Sequence, residues 1–173
     1  MENFVIQTKR LLLREMTKKD IPAISKILKD QEVMYAWEHA FSNKEVASWL
    51  EENLARYQRD KFSYWAVILK EEEKLIGVCG IITEYVDDKK HLGLGYIFDK
   101  DYWQKGYAYE SALACMDYVL NTLREKQITA QVRTNNIASK KLAEKLGMKV
   151  ESEFSKYYRG ISMPHLLYVK ILQ

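Results

Sequence analysis

After one short strand, apolar residues in this chain recur with a helical period, then with a strand period, and finally with the two in alternation. Residues 11–14 read as a short strand. Thr17-Lys18-Lys19-Asp20 then offers a capping-box variant ahead of Ile21, Ile24, Ile27 and Leu28, which fall on one helical face. Pro22 fits only near such a helix start, where no intrahelical N–H bond is lost. A fuller capping box, Ser42-Asn43-Lys44-Glu45, precedes Val46, Trp49, Leu50, Leu54 and Tyr57 at the three- and four-residue spacing of an amphipathic helix. Two helices therefore occupy much of the first third.

The period then changes. Residues 63–69 and 75–83 are β-branched and aromatic runs joined by a charged turn, and they predict a hairpin. A polar segment, 84–90, leads to a strand over 92–98, in which Gly93 and Gly95 suggest a bulge or a close backbone approach. A helix over 107–123, a strand over 128–134 and a short helix over 138–146 follow, the last stopped by Gly147 as a left-handed cap. Strands over 149–154 and 165–172 close the chain. This order predicts one α+β domain with a mostly antiparallel sheet and one parallel crossover, from 92–98 through the long helix to 128–134.

Composition narrows the function more than the fold. At 173 residues with 47% hydrophobic content, the chain suits one compact core. No run approaches the roughly 20 apolar residues of a membrane span, and the amino terminus lacks the order of a signal peptide, so a soluble, cytoplasmic protein without a membrane partner is expected. The net charge of +3 comes from lysines interleaved with acids, which argues against specific nucleic-acid binding. Cys79 and Cys115, far apart along the chain and each in an apolar context, support neither a disulfide framework nor a metal site and read as reduced core residues.

Candidate chemistry gathers at two strand-to-helix junctions. In Trp103-Gln104-Lys105-Gly106-Tyr107-Ala108 the chain enters the long helix with a glycine where serine or aspartate would ordinarily cap. Gly106 either permits a sharp turn or lets the free N–H groups of the first helical turn approach an anion, with Ala108 small beside it and Lys105 as a mobile cation. In the stretch from Arg133 to Ser139, Asn136 and Ser139 either cap the short helix or point polar groups into the crevice at the end of the second parallel strand.

The runs GYIFDKDYWQKGYAYESAL and NNIASKKLAEKLGMKVE, with the opening TKRLLLREMTKKDI, resemble the GNAT superfamily of N-acetyltransferases, specifically the branch of ribosomal-protein N-terminal acetyltransferases. The resemblance implies a twisted sheet with one splayed parallel pair and helices on both faces. It also implies acetyl-CoA as the acetyl donor, with no metal. Its pyrophosphate loop matches at Gly106 and Ala108, in a segment taking in Gln104, Lys105, Tyr107 and Tyr109, while Trp103 stands where arginine or glutamine is usual. Tyr96, Ile97 and Phe98 would pair with the pantetheine arm, Asn136 would touch that arm, and Ser139 would lie near the sulfur as proton donor, with Tyr107 and Tyr109 behind it.

The implied reaction is direct attack of a neutral amine on the thioester in a ternary complex. Many relatives carry a glutamate three residues before the strand aromatic, and here that position is Gly93. The base is therefore sought elsewhere: Glu84 first, His91 next, with Glu110 ranked lower as a structural hydrogen-bond partner. Tyr35, Trp37 and Glu38, with His39 and Phe41, form an aromatic, partly acidic loop suited to the acceptor. That acceptor is a small-molecule amine or a protein N-terminus, and the protein a monomer or homodimer. A non-catalytic acyl-CoA-binding module is the alternative, motivated by the missing strand glutamate and by Trp103. A nucleotide-binding domain is poorer, since no Walker or Rossmann fingerprint is present.

Overall fold

Both helix starts signalled in the first third carry reciprocal caps. In the computed structural model, which describes residues 4–173, the Thr17 hydroxyl accepts the Lys19 N–H while Asp20 accepts the Thr17 N–H, opening a 3-10 turn that runs into α1 (Ile21–Leu28). Ser42 and Glu45 do the same for α2 (Asn43–Arg59). Each cap satisfies amide donors that have no intrahelical partner.

Eight strands form one sheet: β1 (Phe4–Gln7), β2 (Leu11–Arg14), β3 (Tyr64–Leu69), β4 (Lys74–Val86), β5 (Lys89–Phe98), β6 (Gln127–Arg133), β7 (Lys149–Tyr158) and β8 (Ile161–Ile171). Their spatial order is β1-β2-β3-β4-β5-β6-β8-β7, and every neighbouring pair is antiparallel except β5–β6. The crossover between those two is α3 (Tyr107–Asn121), and α4 (Ile137–Lys145) follows β6.

Side chains alternate across the sheet and build two cores. On one face Ala66, Val78 and Ile97 pack with Ile24, Leu28, Val46 and Leu50 of α1 and α2. On the other Trp65, Val67 and Ile81 pack with Ala112, Met116 and Val119 of α3 and with Ala143 of α4. Coverage of both faces explains why β3 and β4 read as near-continuous apolar runs. Cys79 and Cys115 belong to the second core. Distant in sequence, they meet in space with Sγ atoms 3.7 Å apart, fully buried, and burial pushes the Cys115 thiol well above its ordinary value.

The structure corrects the sequence reading in three places. β1 is a strand that the pattern did not signal; it pairs with β2 at the sheet edge. The polar segment 84–90 is not a connection but the end of a long hairpin, with Glu84 opposite His91 and Val86 opposite Lys89. Asp87 and Asp88 both take positive φ there (48° and 62°), the conformation a two-residue hairpin turn demands, and backbone pairing proceeds regardless of side-chain polarity. The β4–β5 ladder also runs in unbroken register, so Gly93 and Gly95 mark close approach and not a bulge.

The parallel pair carries the functional geometry. β5 and β6 pair only at Gly93 and Thr129, and then diverge while β5 continues to Phe98 and β6 to Arg133. At about 3.3 Å per residue the opening between them is roughly 16 Å long. Among the described residues no helix is long and apolar enough to cross a membrane.

Candidate active site

A cavity of about 940 Å³ passes through this opening. It begins at the amino end of α3, runs between β5 and β6, and ends on the opposite sheet face beneath α2 and the β7–β8 hairpin.

At its first end, Gly106 stands at the helix N-cap with φ 80°, a conformation L side chains rarely adopt, and no side chain caps the helix. The first helical bond is from the Glu110 N–H to the Gly106 carbonyl, so the N–H groups of Tyr107, Ala108 and Tyr109 have no acceptor among the described residues. Aligned donors and the helix dipole make this a place for an anion. Gln104, also at positive φ, lines the cavity here. Lys105 does not: its ammonium donates to the Asp101 carbonyl at 3.0 Å and lies over the Tyr102 ring.

The cation held beside this loop is Arg10, which sequence reasoning missed. Its Nη1 donates to the Lys105 carbonyl (2.9 Å), its guanidinium lies 4.4 Å from the Tyr107 ring centroid, and its Nε donates to Glu110 (2.6 Å). Glu110 further accepts the Thr8 hydroxyl and the Arg10 N–H, so it ties β1–β2 to the start of α3. Burial pushes the Glu110 carboxyl up, but those bonds from Thr8 and Arg10 together outweigh it and hold the group below its ordinary value. Trp103 donates its indole N–H to the Phe98 carbonyl (2.9 Å) and so fixes the end of β5.

Midway, the Tyr96 hydroxyl and Ser139 Oγ are 2.8 Å apart across the opening. Burial pushes the Tyr96 phenol up to about 12, so it remains protonated at neutral pH. Asn136 caps α4 by accepting the Ser139 N–H, and its same oxygen accepts the Tyr35 hydroxyl, which brings the loop before α2 against α4. Tyr35 and Trp37 line the cavity. Glu38 does not: it pairs with Arg133 at 3.0 Å, so the acidity expected of this loop is neutralised by a strand residue. His39 is likewise engaged, by Glu45 at 2.8 Å.

On the far face, Glu84 lines the cavity while His91, directly opposite it on β5, does not. The Glu84 carboxylate reaches the space above Gly93. Burial pushes its carboxyl above the ordinary value, with Lys156 and Arg56 partly offsetting this. Tyr64 lies across Gly80 and sets its hydroxyl over Gly95. Four further polar side chains here went unread in the sequence: Gln131, whose buried Oε1 has no partner, His165, and the cations Arg56 and Lys156. Register is the signal that finds the strand residues among them, because His165 pairs with Arg133 and Lys156 with Met163 on the same face as Glu84. Among the described residues no His, Cys, Asp or Glu group is arranged to hold a metal ion.

Comparison with known proteins gives this geometry its context. Residues 10–149 match a family model described as an acetyltransferase (GNAT) domain. An N-acetyltransferase of Bacillus subtilis termed YnaD, itself uncharacterized, is 32% identical over 152 residues, 87% of this chain and 86% of that one. The crystal structure of a GNAT-family acetyltransferase from Bacillus anthracis superposes with a TM-score of 0.81 at 26% identity, covering 96% and 97% of the two chains. RimL, a ribosomal L7/L12 alpha-N-protein acetyltransferase solved with coenzyme A, shares the fold at a TM-score of 0.80 and 17% identity, with 98% of each chain covered.

Proposed function

The chain belongs to the GNAT acetyltransferase family, and from that premise we propose that it transfers the acetyl group of acetyl-CoA to a primary amine, of a small molecule or a protein N-terminus, by direct attack in a ternary complex. The observation that carries this reading is the continuity of one cavity from the uncapped start of α3, through the opened parallel pair, to the carboxylate of Glu84. Acetyl-CoA supplies an activated acyl group and an anionic pyrophosphate. The free N–H groups at Tyr107, Ala108 and Tyr109 suit that pyrophosphate, and the absence of a Cβ at Gly106 lets it approach.

The chain's own residues then have distinct tasks. Tyr96, Ile97 and Phe98 offer backbone groups along the opened edge of β5, where a strand N–H polarises a carbonyl as negative charge grows on it. Asn136 orients the start of α4 and keeps its Nδ2 for the bound arm, while Ser139, held by Tyr96, donates a proton to the departing sulfur. Glu84 removes the proton from the amine; its raised pKa brings it nearer neutrality, where a general base is most effective. Tyr35 and Trp37 flank the entering acceptor.

The test is coenzyme A release from acetyl-CoA with a panel of primary amines, with both concentrations varied. Intersecting double-reciprocal lines are expected for a ternary complex. Parallel lines would overturn direct attack, and absence of release with every amine despite acetyl-CoA binding would overturn the transfer reading.

A further inference from the structure

The acceptor end of the cavity holds more recognition chemistry than a bare amine needs. Three hydrogen-bond acceptors share the sheet face around it. Glu84 is one. Gln131 Oε1 is the second, a buried acceptor left without a donor on β6, directly across the opening. His165 is the third: its Nδ1 is bonded to the Met163 carbonyl (2.9 Å) and must carry the hydrogen, which leaves the lone pair on Nε2. Nε2 has no partner among the described residues. An ammonium group, with its three donors and no acceptor, matches Glu84 and Gln131; His165, aligned with Arg133 four residues beyond the Gly93–Thr129 pair, offers its acceptor further along the cavity.

Two cations flank the same space. Arg56, on α2, is mostly buried and gives its Nε to Glu52 at 3.2 Å; its Nη donors have no partner among the described residues. Glu52 is also 3.4 Å from Arg59, which pairs with Asp60 as well. Lys156, on β7, lines the cavity with no ion pair or hydrogen bond among the described residues. Arg133 makes the contrast, since the Ala36 carbonyl and Glu38 already occupy it. Both cations face the Glu84 carboxylate; once Glu84 takes the proton of an amine, that counter-charge is lost and an amine with no other charge leaves them unbalanced. An anion on the same molecule restores the balance.

Resting on the transfer reading above, we propose that the acceptor is an amine bearing an anionic group a few bonds from its nitrogen, an amino carboxylate in its simplest form. The nitrogen sits beside Glu84 and Gln131, and the anion sits between Arg56 and Lys156. A free amino acid and the N-terminus of a peptide with an acidic residue beside it are two sources of this chemistry.

The experiment compares matched acceptors with the full chain and acetyl-CoA: common amino acids, their amides, their decarboxylated amines, and short peptides with an acidic or neutral second residue. At least one anionic acceptor is expected to exceed its neutral counterpart in kcat/KM by roughly tenfold or more, the scale of one charge-assisted hydrogen bond. R56Q and K156Q are each expected to collapse that ratio toward unity. Preference for free amino acids over acidic peptides identifies the first source, and the reverse identifies the second. Turnover of neutral amines at equal or better efficiency, or a ratio unmoved in both variants, would overturn the proposal while leaving acetyl transfer intact. Failure of every amine would take the transfer reading down with it. A calorimetric titration of N-acetyl amino acids against their amides, with coenzyme A present, reads the same site without turnover; equal affinity counts against the anion site.

Discussion

The carboxylate of Glu84 stands in the space that a side chain on Gly93 would fill: its Oε2 lies 2.1 Å from where the Cβ would be. Gly93 thus makes room for an acid delivered from the neighbouring strand. Glu84→Gln is expected to lower kcat/KM by about 10²- to 10⁴-fold, the usual worth of a positioned general base, with acetyl-CoA affinity preserved. Gly93→Ala should lose activity as well, because the new methyl group displaces the end of a flexible side chain without breaking the fold. Steady-state kinetics with calorimetry checks both; full activity in either variant removes Glu84 from the mechanism.

The same burial sets a pH dependence. The Glu84 carboxyl lies above its ordinary value, and Arg56 and Lys156 pull it back, with the Tyr64 phenol also facing it. The acidic limb of the kcat/KM profile should therefore fall above the range of an ordinary carboxylate. K156Q removes a cation that favours the ionised form and should move that limb to still higher pH.

Stability follows with the opposite sign to activity. A carboxyl whose folded pKa is raised contributes its full stability below the unfolded pKa and loses it as pH rises through the folded value. Glu84→Gln is thus expected to have a higher Tm than the parent at neutral pH, with the difference shrinking toward acid. Equal Tm values across that window would show that the folded protein imposes no cost on the ionised group.

Gly106 and Gly160 make an internal comparison for the anion site. Both take positive φ, 80° and 77°, but only Gly106 lies at the start of α3. Substitution by valine strains either backbone. Only Gly106→Val should weaken acetyl-CoA binding, by more than about tenfold, as amide donors to phosphate are displaced. Calorimetric titration distinguishes them; equal weakening in both would assign the effect to general destabilisation.

The Arg10–Glu110 tie predicts a coupling between the sheet edge and the cofactor loop. Glu110→Gln should cost about 1–3 kcal/mol of folding stability, because it weakens acceptance from Thr8 and from both Arg10 donors at once. With its folded pKa depressed, Glu110 contributes this stability above its unfolded pKa and loses it as pH falls through the folded value. Urea melts at neutral and acidic pH check both statements, and the parent and variant should converge in acid.

Local chemistry was legible along the chain wherever a short run determines its own conformation. The reciprocal caps at Thr17 and Ser42, the left-handed Gly147 and the glycine entering α3 all work through neighbours within a few residues, so the sequence alone locates them. The order of the elements also indicated a mostly antiparallel sheet with a single parallel pair. β1 stayed hidden because four residues at an edge carry too little periodicity. The outer half of the β4–β5 hairpin was hidden because a backbone ladder does not advertise itself through polar side chains.

The far side of the cavity belongs to tertiary structure. Glu84 and Gly93, Arg10 and Glu110, and Arg56 with Lys156 are joined by cross-strand register and by a helix laid over the sheet. Neither leaves a mark at fixed spacing. The sequence by itself determined most of the elements and the glycine turn that opens α3, since hydrogen bonding within a turn is local. Only the folded sheet decided which carboxylate meets the opening and which cations flank it, because those encounters depend on how strands far apart in the chain align and where one pair of them parts.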